Sequence, residues 1–199
     1  AGTPVIIGGG DQPLSMIGSG IGDPSGGFLL NIGTGSQVSR ASDSYIKRDD
    51  TIAFCFPEKG YSLLGAGLSG GASLNWWRNV SDGYAKMLGI TPPEISVFRE
   101  MSRIASEVPA GSDGLVFIPY LSGTRVNPNL SASFVGLTRH HGYAHLTRAI
   151  MEGVIFELYH LYKSLSDRTA DDFPIIGAGG GFSSELWTQI ASDIFDKKV

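Results

Sequence analysis

The sequence predicts an α/β fold, and three observations carry that prediction. Short apolar runs of strand length end in clusters of glycine. Segments with apolar residues at helical spacing alternate with them. Hydrophobic residues make up 42% of the 199 and charged residues only 17%, enough to build a core and too apolar for a disordered chain.

Taken in order, Thr3 to Ile7 reads as a short buried strand that runs into Gly8-Gly9-Gly10. Phe28 to Ile32, Ile52 to Phe56, Tyr61 to Leu64 and Leu115 to Ile118 are further strands, and Pro174 to Ile176 is another that leads into glycines. Pro93 suits the first position of a helix whose Ile95, Phe98, Met101 and Ile104 recur along one face. The longest helix is expected over Tyr143 to Leu165, with Leu146, Ile150, Val154, Leu158, Leu161 and Leu165 as its core stripe. Phe156, Tyr159 and Tyr162 read as packing. Ser183 or Ser184 can cap a last helix that turns Leu186, Ile190 and Ile194 inward. The polar stretch Ser166 to Asp172 is too short to divide the chain, so one domain is the simplest account.

Composition excludes several functions. A net charge of −4 argues against a nucleic-acid-binding surface. The single cysteine, Cys55, rules out an internal disulfide and a thiolate zinc cluster. No apolar stretch reaches the ~18 residues of a membrane helix, and no signal peptide is recognisable, so the cytosol is the expected setting.

The 28 glycines gather beside strand ends, where bare backbone can turn tightly around a ligand. Asp11 follows the first cluster and precedes Gln12; a carboxylate there can approach a bound hydroxyl as a general base, or simply hold turn amides. Gly33-Thr34-Gly35 can aim amides and a hydroxyl at phosphate, or close a hairpin. Gly177 to Ser184 lies between strand and helix, where amides favour an anion. It is not a dinucleotide fingerprint, because Phe182 stands where the third glycine belongs, and no Gly-Lys pair exists to form a P-loop. Gly67-Leu68-Ser69-Gly70-Gly71 fits the nucleophile elbow of an α/β serine hydrolase, with Asp113 and His140, His141 or His145 following in the permitted order. His141 and His145 have a zinc-compatible spacing but lack the glutamate of H-E-x-x-H, so capping is the preferred reading.

Ala132-Ser133-Phe134-Val135-Gly136-Leu137, followed after residues 138–144 by His145-Leu146-Thr147-Arg148-Ala149-Ile150-Met151-Glu152, resembles the second signature of the FGGY carbohydrate kinases. Pro119 to Gly123, Gly153 to Phe156, and Phe54 to Trp76 resemble the xylulokinase branch of that family, and the motifs keep family order along nearly the whole chain. The resemblance implies an actin-like, ribonuclease-H-like ATPase domain, a mixed sheet flanked by helices, that forms the C-terminal half of a two-domain kinase. It implies that residues 1–199 lack both an N-terminal sugar-binding domain of the same polypeptide and the extreme C-terminus, and that this portion alone is inactive.

By the same resemblance, Asp11 is the catalytic base, Gln12 a substrate-side neighbour, and Gly33, Thr34, Gly71, Asn75, Gly180 and Ser184 contact ATP. Mg²⁺ bridges the phosphates, with no ligand assigned here beyond an approach of Asp11 through water. The implied partner is a small sugar, with neither nucleic acid nor membrane, and a homodimer is left open. D-xylulose is the first choice of acceptor. Ser122 to Pro128 lacks the Thr-Pro-His common in xylulokinases, and the phosphate turn reads Gly-Thr-Gly-Ser as in sedoheptulokinase-like branches. Sedoheptulose, ribulose, gluconate and glycerol therefore stay open.

Overall fold

A five-stranded mixed sheet organises the chain. The computed structural model describes residues 2, 4, 8–56, 59–91, 97–166 and 173–199. β1 (Phe28–Ile32), β2 (Ser36–Ser42), β4 (Tyr61–Gly67) and β3 (Thr51–Cys55) form an antiparallel series, and β7 (Ile175–Ala178) joins β1 in parallel with Phe28 opposite Ile175. Gly27, at φ 96°, lets the chain entering β1 pass against the Pro174 carbonyl, where any Cβ would collide.

Side chains alternate across the sheet. Phe28, Leu30 and Ile32 of β1, Val38 of β2 and Leu63 of β4 face the larger core, which α2 (Gly70–Met87), α3 (Val97–Ser106), α4 (Tyr143–Leu165) and α5 (Glu185–Phe195) cover. Leu29 and Ala41 face the other way, with Phe56, toward Met16 of α1 (Asp11–Gly18). α4 is the central helix: Ile150, Val154 and Leu158 of the expected stripe are wholly buried and Leu161 and Leu165 nearly so, Leu146 is partly buried, and Met151 and Ile155 widen the inner face. Gly153 admits the Phe117 carbonyl of the small β5–β6 hairpin (Val116–Ile118 and Ser133–Val135), whose Phe117 and Phe134 rings lie 4.8 Å apart.

The structure adds one strand that the sequence reading lacks and corrects one expectation. Ser36-Gln37-Val38-Ser39-Arg40-Ala41-Ser42 forms the middle strand of the sheet, although its small polar residues do not read as one; its backbone is paired on both sides, with Ser36 and Ser39 buried. Of the proposed aromatic stripe, Tyr159 and Tyr162 pack on Phe195, but Phe156 is 50% exposed. The strand over residues 3–7 (Pro4 apart), the Pro93 and Ile95 helix start, and most of the 166–172 connection lie outside the described residues.

Candidate active site

The site grows from one junction. β1 turns through Gly33-Thr34-Gly35 into β2, closed by a hydrogen bond from the Gly33 amide to the Gly35 carbonyl at 3.0 Å. The carbonyls of Gly33 and Thr34 then accept the Gly71 and Ala72 amides, both at 2.9 Å. Those amides belong to the first turn of α2, whose donors have no partner within the helix. The hairpin turn thus caps α2, a task usually given to the N-cap side chain. Ser69, at the N-cap position, makes no capping bond.

Close approach explains the glycines. A Cβ on Gly70 would strike the Gly35 carbonyl, and one on Gly71 would strike the Gly33 oxygen. The Gly71 N–H is engaged by the turn, so what Gly71 offers the cleft it lines is bare backbone and not its amide. The Thr34 hydroxyl remains exposed at the turn, without a protein partner among the described residues.

The opposite wall starts at the end of β7. Gly179, at φ 84°, packs against Asn31 and the Ile32 carbonyl, where a side chain would not fit. A 3-10 turn over Gly180–Ser183 follows, and Ser184 caps α5 by accepting the Trp187 amide at 3.4 Å. The Trp187 indole donates to the Met151 carbonyl at 2.9 Å, which fixes the ring as floor.

Between these walls lies a cleft of about 960 Å³, and Gly33, Thr34, Gly71, Asn75, Gly180 and Ser184 all line it. That volume is within the usual size of a small-molecule site. A Cβ on Gly180 would meet nothing within 4 Å and one on Gly33 only the Asn31 oxygen at 4.0 Å, so both present bare backbone to open space. This is a cradle that a flat, polyanionic ligand such as a nucleotide can fill.

The third wall is α3, a helix the sequence predicts but whose place at the cleft it does not reveal. Phe98, Arg99, Ser102, Arg103 and Ser106 face the cleft. Phe98 had been expected in the core stripe with Met101 and Ile104; it is 39% exposed, under the Arg78 guanidinium at 5.2 Å, while Met101 and Ala105 point inward. The amphipathic pattern was visible, but the inner face runs through Met101 and Ala105, with Ile104 at its border and Phe98 outside it. Ser102 Oγ reaches Ser184 Oγ across the cleft at 3.2 Å. Arg103 is occupied by Glu100 and Glu107, each at 2.6 Å.

Asp11 and Gln12 do not line this cleft. Asp11 is the first residue of α1, not the end of a strand, and its exposed carboxylate accepts the Gln12 amide at 2.8 Å. α1 packs through Met16 on the face of the sheet opposite to α2–α5.

The hydrolase arrangement is not assembled. His145 Nε2 lies 3.2 Å from Asp113 Oδ2, but its Nδ1 accepts the Gly142 amide at 3.3 Å, so both ring nitrogens are used. Ser69 Oγ is buried and bonded to nothing. Without a nucleophile–base hydrogen bond the serine has no activation. His141 likewise accepts the Thr138 amide at 3.0 Å, so both histidines serve the turn before α4. Among the described residues, no group of three or more His, Cys, Asp or Glu could hold a metal.

One carboxyl near the junction was missed. Glu157 of α4 accepts the Ser36 hydroxyl, and burial pushes its pKa up to about 7 against the lowering effect of that bond. Burial and the Glu157 charge together raise the Tyr120 phenol.

Residues 29–199 match the model of the FGGY family of carbohydrate kinases, C-terminal domain. The chain is 35% identical to the gluconokinase of Bacillus subtilis over 99% of its own length and 39% of that protein. It is 31% identical to the xylulose kinase of Staphylococcus epidermidis over 98% of its length and 38% of that protein. Among solved structures, the xylulose kinase of Rhodospirillum rubrum superposes with a TM-score of 0.79 at 29% identity, covering 94% of this chain and 36% of that one. The gluconate kinase of Lactobacillus acidophilus gives 0.73 at 34% identity, over 94% and 37%. The signature from Ala132 to Glu152, the mixed sheet and these matches agree: the chain belongs to the FGGY family of carbohydrate kinases.

Proposed function

We propose that this chain forms the ATP-binding side of a sugar kinase that transfers the γ-phosphoryl group of ATP to a sugar hydroxyl. One observation carries the reading: three segments far apart in sequence, marked by Gly33 and Thr34, Gly71 and Asn75, and Gly180 and Ser184, converge on a glycine-walled cleft. Phosphoryl transfer needs alignment and charge stabilisation more than covalent help from the protein. In the proposed step the Asp11 carboxylate takes the proton of the attacking hydroxyl, with Gln12 beside the sugar. The new bond forms between sugar oxygen and γ-phosphorus, and ADP leaves with the electrons of the broken P–O bond. The described residues supply no metal-ligand set for Mg²⁺, and no part of the step is assigned to it.

The curated relatives are much longer than the stretch they share with this chain. We place the sugar contacts, and the surface that brings Asp11 to the phosphates, on another domain of the same polypeptide. For the acceptor, gluconokinase identity of 35% against 31% for xylulose kinase favours D-gluconate over D-xylulose by a small margin.

The test uses the full-length enzyme with ATP, Mg²⁺ and a panel containing gluconate, xylulose, ribulose, sedoheptulose and glycerol. Turnover with one of them is expected, together with its loss in Asp11→Asn while ADP still binds. Full activity of Asp11→Asn would remove the aspartate from the reaction. Failure of wild type to bind ADP would remove the nucleotide from the cleft.

A further inference from the structure

α3 carries one wall of the cleft yet is thinly anchored, with only Met101 and Ala105 of its residues buried. At its C-terminal end the Ala105 carbonyl, which accepts the Val108 amide at 3.2 Å as the chain leaves the helix, also receives Nη1 of Arg148 at 3.5 Å. Arg148 is oriented by Glu152, one turn further along α4, through an Nε–Oε1 contact of 2.7 Å. Glu152 also grips the loop that leaves α3: Oε1 accepts the Gly111 amide and Oε2 the Ser112 hydroxyl, both at 3.0 Å.

That loop needs holding. Ser112 and Asp113 adopt left-handed backbone at φ 50° and 53°, a conformation that costs energy for residues with a Cβ. Arg148 and Glu152 are 7% and 6% exposed. A buried ion pair is weak as a stability device, because desolvating two charges offsets most of their attraction. Its geometry is more informative. A guanidinium fork fixes two directions at once, here Glu152 and the end of α3. On the other side of α3, Ser102 meets Ser184 across the cleft at 3.2 Å. The helix is held between an anchor in the core and a latch at the mouth.

We infer that Arg148 and Glu152 are positioning residues for the nucleotide cleft, acting through α3 without touching ligand. The inference rests on the reading of the cleft as the ATP site. In the full-length enzyme, Arg148→Lys keeps the charge but loses the fork, and Glu152→Gln keeps the shape but loses the charge. Phe56→Leu, in the core on the far side of the sheet, serves as a control for general destabilisation. ADP dissociation constants, KM for ATP, KM for the sugar, kcat and Tm are measured for each.

Both brace variants are expected to weaken ADP and raise KM for ATP on the order of tenfold, a typical size for coupling through a packed network. KM for the sugar and kcat should hold, and Phe56→Leu should leave nucleotide affinity intact at a similar loss of Tm. Unchanged ADP affinity in folded Arg148→Lys would overturn the inference, as would an equal loss in Phe56→Leu. Should Glu152→Gln fail to fold, Arg148→Lys decides. A wild-type enzyme that does not bind ADP refutes the nucleotide reading instead, a distinct outcome.

Discussion

The Ser36 hydroxyl donates to Oε2 of Glu157 at 3.1 Å, tying the first residue of β2 to the middle of α4 immediately after the Gly33-Thr34-Gly35 turn. The carboxyl lies so close to Gly67 that a Cβ there would collide with it. Burial holds its proton to about pH 7, whereas the unfolded chain releases it near 4.5. The folded protein therefore binds the extra proton, and the stability this provides is lost as pH rises from about 4.5 through about 7. Glu157→Gln should remove that dependence and raise stability at pH 8 by roughly 2–3 kcal/mol, less at pH 5. Thermal melts across this range check it. An unchanged pH slope in the variant would show that another group titrates.

Gly71→Ala places a methyl group against the Gly33 carbonyl oxygen. Backbone must move to admit it, and the turn that caps α2 is the backbone concerned. A destabilisation of roughly 2 kcal/mol or more is expected from overpacking, with ADP affinity lost as Gly33 and Thr34 shift. Denaturant unfolding and calorimetric titration measure the two effects, and a variant with wild-type values in both would contradict the junction described above.

Ser184 both caps α5 and meets Ser102 across the cleft. Ser184→Ala should cost about 1 kcal/mol of stability through the lost cap. Ser102→Ala breaks only the cross-cleft contact, so it should weaken ADP severalfold with little change in Tm. Equal ADP affinity in wild type and Ser102→Ala would mean that the hydroxyl pair does not shape the site.

Ser69→Ala removes a buried hydroxyl that bonds to nothing. Because the Gly33 and Thr34 carbonyls already cap α2, the change should be neutral within about 0.5 kcal/mol, or stabilising. A fluorophosphonate should leave Ser69 unlabelled. Labelling there would revive the hydrolase chemistry suggested by Gly67-Leu68-Ser69-Gly70-Gly71.

Much of the architecture was legible in local pattern. Phe28–Ile32 was legible as a short apolar run beside glycines and Tyr143–Leu165 as a long stripe at helical period, and of the two expected cap residues, Ser183 and Ser184, it is Ser184 that caps α5. β2 was hidden because small polar residues suffice where both neighbouring strands supply hydrogen bonds. α1 was hidden because its own Met16 anchors it on a distant sheet face, beside Leu29, Ala41 and Phe56, and no long apolar stripe marks it locally.

By itself, the sequence determined which backbone is bare, which helices have an apolar stripe and to which family the signature from Ala132 to Glu152 points. These are properties of residue type and spacing, and they survive without coordinates. Only the tertiary structure decided that Gly71 spends its amide on Gly33 rather than on a ligand, that α3 turns Phe98 and Ser102 outward to the cleft, and that Glu157 lies half-buried behind the turn. Hydrogen-bond partners and desolvation depend on what lies across space, and residues 33, 71 and 157 become neighbours only when the sheet closes against α2 and α4.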